Sequence, residues 1–258
     1  MKRAMCRALA LLLAALWLPA LPALADWGAI RGSLAKVYAE GDDPVTGGQG
    51  AWIGTAFAVG DGGSTARYFV TSRHVVSGAL VLWIVCDTPE NRVPCNVKAV
   101  SSRCDLALLE VDTRDGVPCA PAALRPFDAS ALERETVRVW SCGFPAFVMG
   151  DKSTSTRDLL MADLVVIDGT VSRVLSHDET QAGEMLAHSA GMGGGSSGGA
   201  LVDQDGRVLG VSTQWLPADG DGYLGCGFAI SSNEVLRLLE DAGIAAGAGE
   251  APRGFVGR

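Results

Sequence analysis

A chain of 258 residues with 48% hydrophobic side chains is long enough to bury one large core or two smaller ones. Its formal charge is −8, from 29 acidic and 21 basic residues with no clustered Lys or Arg, which excludes a nucleic-acid binder built on phosphate contacts. Beyond the N-terminus no apolar run is long enough for a spanning helix, so the folded part is expected in solution, away from the membrane.

The N-terminus opens on Lys2, Arg3 and Arg7, continues through an apolar run from Ala8 to Leu18, and reaches a small-residue site at Ala23-Leu24-Ala25. That order is the pattern of a cleaved secretory signal, and the run is shorter than the roughly 20 residues of a membrane helix. Residues 1–25 are therefore expected to be removed. The chain then starts at Asp26 with a formal charge of −11, once the three basic residues are gone, in a periplasmic or extracellular compartment.

From there the sequence reads as short runs rich in Val, Leu, Ile and aromatic residues, bounded by Gly, Pro and Asp. In chain order they are 55–59, 68–71, 80–85, 106–111, 137–140, 164–167, 200–202, 208–213 and 227–230. Strands without intervening helices predict an all-β barrel or sandwich. A break near 118–130 reads as the link between two halves of a domain spanning 26–241, and polar residues 149–157 read as a surface loop. One helix follows, capped by Ser232 or Asn233, with Val235, Leu236, Leu238 and Leu239 on its apolar face. Residues 242–258, rich in Gly and Ala, read as a flexible tail.

Outside the leader the cysteines are Cys86, Cys95, Cys104, Cys119, Cys142 and Cys226. An even set in an oxidising compartment predicts up to three disulfides, with Cys86 and Cys95 able to close a hairpin across residues 88–91. No C-x-x-C pair occurs, and no metal site is expected.

The most informative run is Gly193-Gly-Gly-Ser-Ser-Gly-Gly-Ala-Leu-Val202. Glycines around a serine permit tight turns that expose Ser197 and aim the amides of Gly195 and Ser197 at one point, as an oxyanion hole requires. The alternative is a flexible Gly/Ser linker, which would not pass straight into a strand. A serine nucleophile needs a base. His177 lies in a charged, solvated stretch and His188 has no strand-end context, whereas His74 closes the run Tyr68-Phe-Val-Thr-Ser-Arg-His74. Asp105 heads Asp-Leu-Ala-Leu-Leu-Glu-Val, where a buried acid would require a partner. The order His, Asp, Ser is that of the chymotrypsin arrangement.

Here the sequence resembles the trypsin-like serine proteases, the bacterial HtrA/Deg group most of all. Val70-Thr-Ser-Arg-His-Val-Val is similar to that group's histidine motif, Asp105-Leu-Ala-Leu-Leu-Glu-Val to its aspartate motif, and Gly195-Ser-Ser-Gly-Gly-Ala-Leu-Val to its serine motif, with Ala200 for the usual Pro. Shorter similarities lie at Gly54-Thr-Ala-Phe, Gly143-Phe-Pro, Gly210-Val-Ser-Thr and Gly227-Phe-Ala-Ile-Ser. The resemblance implies two six-stranded antiparallel β-barrels with the site in the cleft between them. It also implies a Thr213 hydroxyl bonded to Asp105, and a strand Thr213-Gln214-Trp215 that pairs with extended substrate. The group's usual PDZ domain has no counterpart in residues 242–258, so a protease domain alone is expected.

The expected function is thus an exported serine endopeptidase. His74, Asp105 and Ser197 act through an acyl-enzyme, Gly195 and Ser197 form the oxyanion hole, and polypeptides are the substrates. The mechanism calls for no metal or organic cofactor. Ala190, Gly191 and Met192, with Thr213, Gln214 and Trp215, are expected to line the specificity pocket. Gly191 stands where basic-specific relatives carry Asp, so small or medium apolar residues are the expected preference. Ordering the glycine run costs about 1 to 2 kcal/mol per residue, which predicts an oxyanion hole left partly unformed without substrate. The alternatives are a catalytically silent peptide-binding homologue, or an acyl hydrolase using the same triad.

Overall fold

The computed structural model describes residues 27–42, 47–60, 63–86, 91–134, 136–145, 163–216 and 225–246. The leader and the expected loop at 149–157 lie outside these residues, as does most of the expected tail. Twelve strands among the described residues close into two antiparallel barrels of six. The first holds β1 (Leu34–Asp42), β2 (Gln49–Val59), β3 (Tyr68–Ser72), β4 (Ala79–Val85), β5 (Arg92–Val100) and β6 (Leu106–Val111), in the order β1-β2-β3-β6-β5-β4. The second holds β7 (Arg138–Gly143), β8 (Val165–Leu175), β9 (Met185–His188), β10 (Ala200–Val202), β11 (Val208–Leu216) and β12 (Cys226–Ser231), in the order β10-β11-β12-β9-β8-β7. Closure leaves neither sheet with a long free edge. Short helix α1 (Trp27–Ser33) precedes β1, α2 (Arg73–Val76), α3 (Ala131–Arg134) and α4 (His177–Thr180) sit between strands, and α5 (Ser232–Asp241) follows the second barrel.

Alternation along the strands explains both barrels and their docking. In β6, Ala107, Leu109 and Val111 point into the first barrel, while Leu106 and Leu108 join a second cluster. That cluster also takes Phe57 and Val70 from the first barrel, Val202, Val211 and Ile230 from the second, and Val235, Leu238 and Leu239 from α5. Leu186, Leu201, Leu209 and Ala229 fill the second barrel. A period of two thus sends one face inward and the other into a core shared between barrels. Both faces are apolar, so these strands read as continuous hydrophobic runs.

Helix α5 lies where the sequence predicts it, but its cap is Ser231 rather than Ser232 or Asn233. Ser231 Oγ accepts from the Asn233 amide, and Val235, Leu238 and Leu239 are buried. Its Glu234 is also buried, and its carboxylate is satisfied by Arg103 Nε at 3.3 Å, Arg237 Nη1 at 2.7 Å and the Glu184 amide at 3.2 Å.

The expected bridge between Cys86 and Cys95 needs correction. All six described cysteines are free thiols. The β4–β5 register pairs Val85 with Arg92 and Trp83 with Pro94, which carries Cys95 up the ladder and away from Cys86, so the hairpin bridge does not form. The Cys86 thiol instead contacts Cys119, on the chain that leaves the first barrel, and this hydrogen bond together with burial pushes the Cys119 thiol far up.

His188, fully buried on β9, lies flat against the bare Cα of Gly227, and neither ring nitrogen has a partner of good geometry. Burial lowers its pKa from 6.5 to about 4, opposed only weakly by the Ala190 backbone. Between those values the unfolded chain holds the proton and the folded chain does not, so stability rises with pH and is lost as pH falls. Folding stability is expected to drop by about 2 kcal/mol between pH 7 and pH 5 through this group. Urea unfolding at both pH values measures the drop, and His188→Leu removes that part of the slope.

Candidate active site

Two neighbouring strands bring the imidazole and the carboxylate together. β3 pairs with β6 in a register that sets Ser72 opposite Leu106, so α2 starts beside the turn that ends at Asp105. The Arg73 amide donates to Asp105 O at 3.2 Å, and the His74 amide donates to Asp105 Oδ1 at 2.9 Å. His74 Nδ1 lies 2.6 Å from Asp105 Oδ2. Across the cleft, Thr213 Oγ1 of β11 donates to the same Oδ2 at 2.5 Å. Burial alone would raise the Asp105 pKa. The His74 ring, the Thr213 hydroxyl and the His74 amide outweigh it and hold the carboxyl below its ordinary value.

Ser197 arrives from the second barrel on two consecutive turns. The Ser196 amide donates to Gly193 O at 2.9 Å, with Gly195 at φ +93°, and the Gly199 amide donates to Ser196 O at 2.9 Å, with Gly198 at φ +87°. Each has glycine where a type II turn demands positive φ. Ser197 occupies the first corner of the second turn, half-exposed. A Cβ on Gly198 would run into Thr55 O and Thr71 Oγ1, so glycine is required there twice over.

Thr55, buried on β2, fastens these turns to the first barrel. Its amide donates to Ser197 O at 2.8 Å, its hydroxyl donates to Gly195 O at 2.8 Å, and that hydroxyl accepts from the Phe144 amide at 2.9 Å. A buried hydroxyl and amide of the first barrel thus hold the carbonyls of Gly195 and Ser197. Among the described residues no acceptor takes the Gly195 or Ser197 amide, leaving both N–H groups available beside Ser197 Oγ. That oxygen donates to Thr213 O at 3.4 Å, and no hydrogen bond joins it to His74. Unliganded sites commonly hold such bonds loosely.

The expected specificity residues divide. Thr213 and Gln214 border a cleft of about 620 Å³ that also includes His74 and Asp105. Gly191 and Met192 border a separate hollow of about 100 Å³ with Pro145, Val165 and Ile167. Ala190 is fully buried in the second barrel and lines neither. Trp215 lies on β11 beside Gln214, in register with Gly227. Past Ser212, β11 pairs among the described residues only with β12, and no described strand covers its other edge from Thr213 onward. The other two histidines lie elsewhere: His188 in the barrel wall, and His177 on α4, where Nδ1 accepts from the Gly183 amide at 3.1 Å. Thr55 escaped the sequence reading as a site residue, although Gly54-Thr-Ala-Phe had marked its strand.

A family model described as trypsin-like peptidase domain matches residues 54–211. The chain is 30% identical over 181 residues to the serine protease Do-like HtrA of Lactobacillus helveticus, covering 67% of this chain and 39% of that protein. It is 30% identical over 195 residues to the periplasmic serine endoprotease DegP of Salmonella typhimurium, covering 74% and 37%. The chain thus spans less than two fifths of the length of these relatives. Among solved structures, a protease of M. tuberculosis in its active form superposes with a TM-score of 0.60 at 19% identity, covering 86% of each chain. The HtrA-type protease AlgW with a tripeptide superposes with a TM-score of 0.59 at 20% identity, covering 84% of this chain and 63% of that one.

Gly198→Ala is expected to destabilise the protein by about 3 kcal/mol or more, from the lost positive φ together with the blocked approach to Thr55. Urea unfolding compared with Gly194→Ala, where a Cβ meets open space, measures the difference.

Proposed function

The chain belongs to the trypsin-like peptidase family, and on that premise we propose that it is an exported serine endopeptidase whose triad is His74, Asp105 and Ser197. One observation carries the reading: Thr213 joins the two parts of the site, accepting from Ser197 Oγ at its carbonyl oxygen and donating its hydroxyl to the Asp105 carboxylate that holds His74. Both halves of the fold contribute to it, and two unaccepted amides lie at its serine end.

In this reading an extended substrate lies on the open edge of β11. Its backbone N–H takes over Thr213 O, and Ser197 Oγ turns to His74. The imidazole removes the hydroxyl proton as oxygen attacks the peptide carbonyl, while Asp105 holds Nδ1–H and stabilises the imidazolium. The amides of Gly195 and Ser197 receive the oxyanion, each such donor being worth about 3 kcal/mol of barrier. His74 hands the proton to the leaving amine, and water then releases the acyl group by the reverse proton path. The residue whose carbonyl is attacked is small or medium-sized and apolar. Supporting this, no carboxylate is among the described residues that line the hollow beside Gly191 and Met192. Export by a leader cleaved after Ala25 fits the N-terminal pattern, and no described helix is long and apolar enough to cross a membrane.

Export also places the thiols in an oxidising compartment, where Cys86 and Cys119 form the disulfide that their contact allows. The two thiols surrender two protons and two electrons to an exchanging disulfide, which departs as two thiols. A peptide map of protein isolated without reductant is expected to contain Cys86 joined to Cys119. Recovery of both as alkylated thiols would end the idea. Reduction is expected to cost about 3 kcal/mol of stability.

Fluorophosphonate labelling read by intact mass tests the enzyme. Protein expressed with its leader is expected to appear without residues 1–25 and with one adduct, and Ser197→Ala with none. Asp105→Asn is expected to slow casein hydrolysis by about 10⁴-fold. Folded wild type that takes no adduct would point instead to a silent peptide-binding homologue, and labelling with ester but no casein hydrolysis to an acyl hydrolase.

A further inference from the structure

The cleft beside His74 holds more than the proposed chemistry uses. At about 620 Å³ it has room for a large side chain, and its polar lining includes the donor-only guanidinium groups of Arg73 and Arg103 beside Ser102, Gln181 and Gln214, which can donate or accept. Arg73 lies across the turn before Asp105, its Nη1 donating to Ser101 O at 3.3 Å, and no described carboxylate pairs with it. Arg103 reaches Glu234 through Nε alone, leaving both terminal nitrogens without a described partner. Glu234 is answered independently by Arg237 at 2.7 Å. The one acid in the lining, Asp105, is committed to His74 and Thr213. Two guanidinium groups with spare N–H donors therefore flank a recess in a chain whose overall charge is −8.

The opposite wall is built rather than loose. A capping box between Ser176 and Glu179 starts α4, and Arg173 pairs with Glu179 at 2.6 Å. The helix ends on Gln181 at φ 53°, the only described non-glycine residue with positive φ, fixed by its amide bond to His177 O at 2.7 Å.

We propose that this cleft is a subsite for an acidic side chain of the substrate, on the N-terminal side of the scissile bond, with Arg73 and Arg103 as its specificity-determining residues. The proposal rests on the protease reading for its orientation: the cleft shares Thr213 and Gln214 with the open edge of β11, along which the acyl half of the substrate lies. Planar guanidinium groups suit a carboxylate because they offer paired donors.

The test uses Ser197→Ala protein, so that binding is read without turnover, and fluorescent hexapeptides with Glu, Gln or Lys at the second, third or fourth residue before the scissile bond. At one of these positions Glu is expected to bind about three- to tenfold more tightly than Gln, and Lys more weakly than either. The preference is expected to shrink in high salt, because both arginines are exposed. Arg103→Gln is expected to reduce the preference, and Arg73→Glu, at an exposed position that leaves the fold intact, to turn it toward Lys. Equal affinities at every position, or a Glu preference unchanged by both substitutions, overturn the proposal. Acidic preference in binding with no fluorophosphonate adduct on the wild type would keep the subsite and remove the protease. Casein hydrolysis with no charge preference would do the reverse.

Discussion

The Asp105 carboxylate is the group on which the rest depends. A buried carboxylate is costly unless hydrogen bonds replace its water, and the donors here come from two places. Two belong to His74, two residues past β3, and the third is the Thr213 hydroxyl on β11 of the other barrel. The acid is fully satisfied only when the barrels are docked. The same bonds that lower its pKa also fix the imidazole, so charge and geometry are set together.

Docking itself is the work of apolar side chains. The shared cluster places Leu106, one residue beyond Asp105, in the same core as Val211, two residues before Thr213. Each polar contact of the site is thus anchored by an apolar neighbour in sequence. Thr55 repeats the logic: its hydroxyl and amide hold the serine turns while Phe57, two residues on, sits in the shared core. Cooperative burial of one residue on a strand thus positions the hydrogen bonds of its near neighbours.

How legible this was depended on what each residue packs against. Residues 106–111 and 200–202 announced themselves because both faces are apolar. β1 did not, since its run carries Lys36, a buried residue whose amine lies 5.2 Å from the Phe144 ring, and its pairing with β2 and β4 is visible only through space. β5 was hidden by Pro94 and by a mostly exposed pattern, and β9 by its four-residue length. Helix α4 was readable, since Ser176-His-Asp-Glu is a capping-box spelling, but its charge suggested a solvated stretch. The positions of His74, Asp105 and Ser197 in their motifs were legible because each sits at the end of a strand, where glycine and apolar residues leave a local signature. Arg73, Arg103 and Thr55 have no such signature. Their significance comes from neighbours 28 to 140 residues away in sequence.

That contrast follows from the geometry of the cleft. Local sequence dictates the turns that present Ser197, because positive φ at Gly195 and Gly198 is a property of the residue itself. What surrounds those turns is dictated by register. A one-residue slip of β3 against β6 would move Ser72 off Leu106 and swing His74 away from Asp105. The slip is opposed because it would also turn Phe69 out of the first barrel and Val70 out of the shared core. The alternation that buries both faces of these strands is therefore what keeps the Asp105 carboxylate within hydrogen-bonding reach of His74 and Thr213, and the Ser197 hydroxyl within reach of the Thr213 carbonyl.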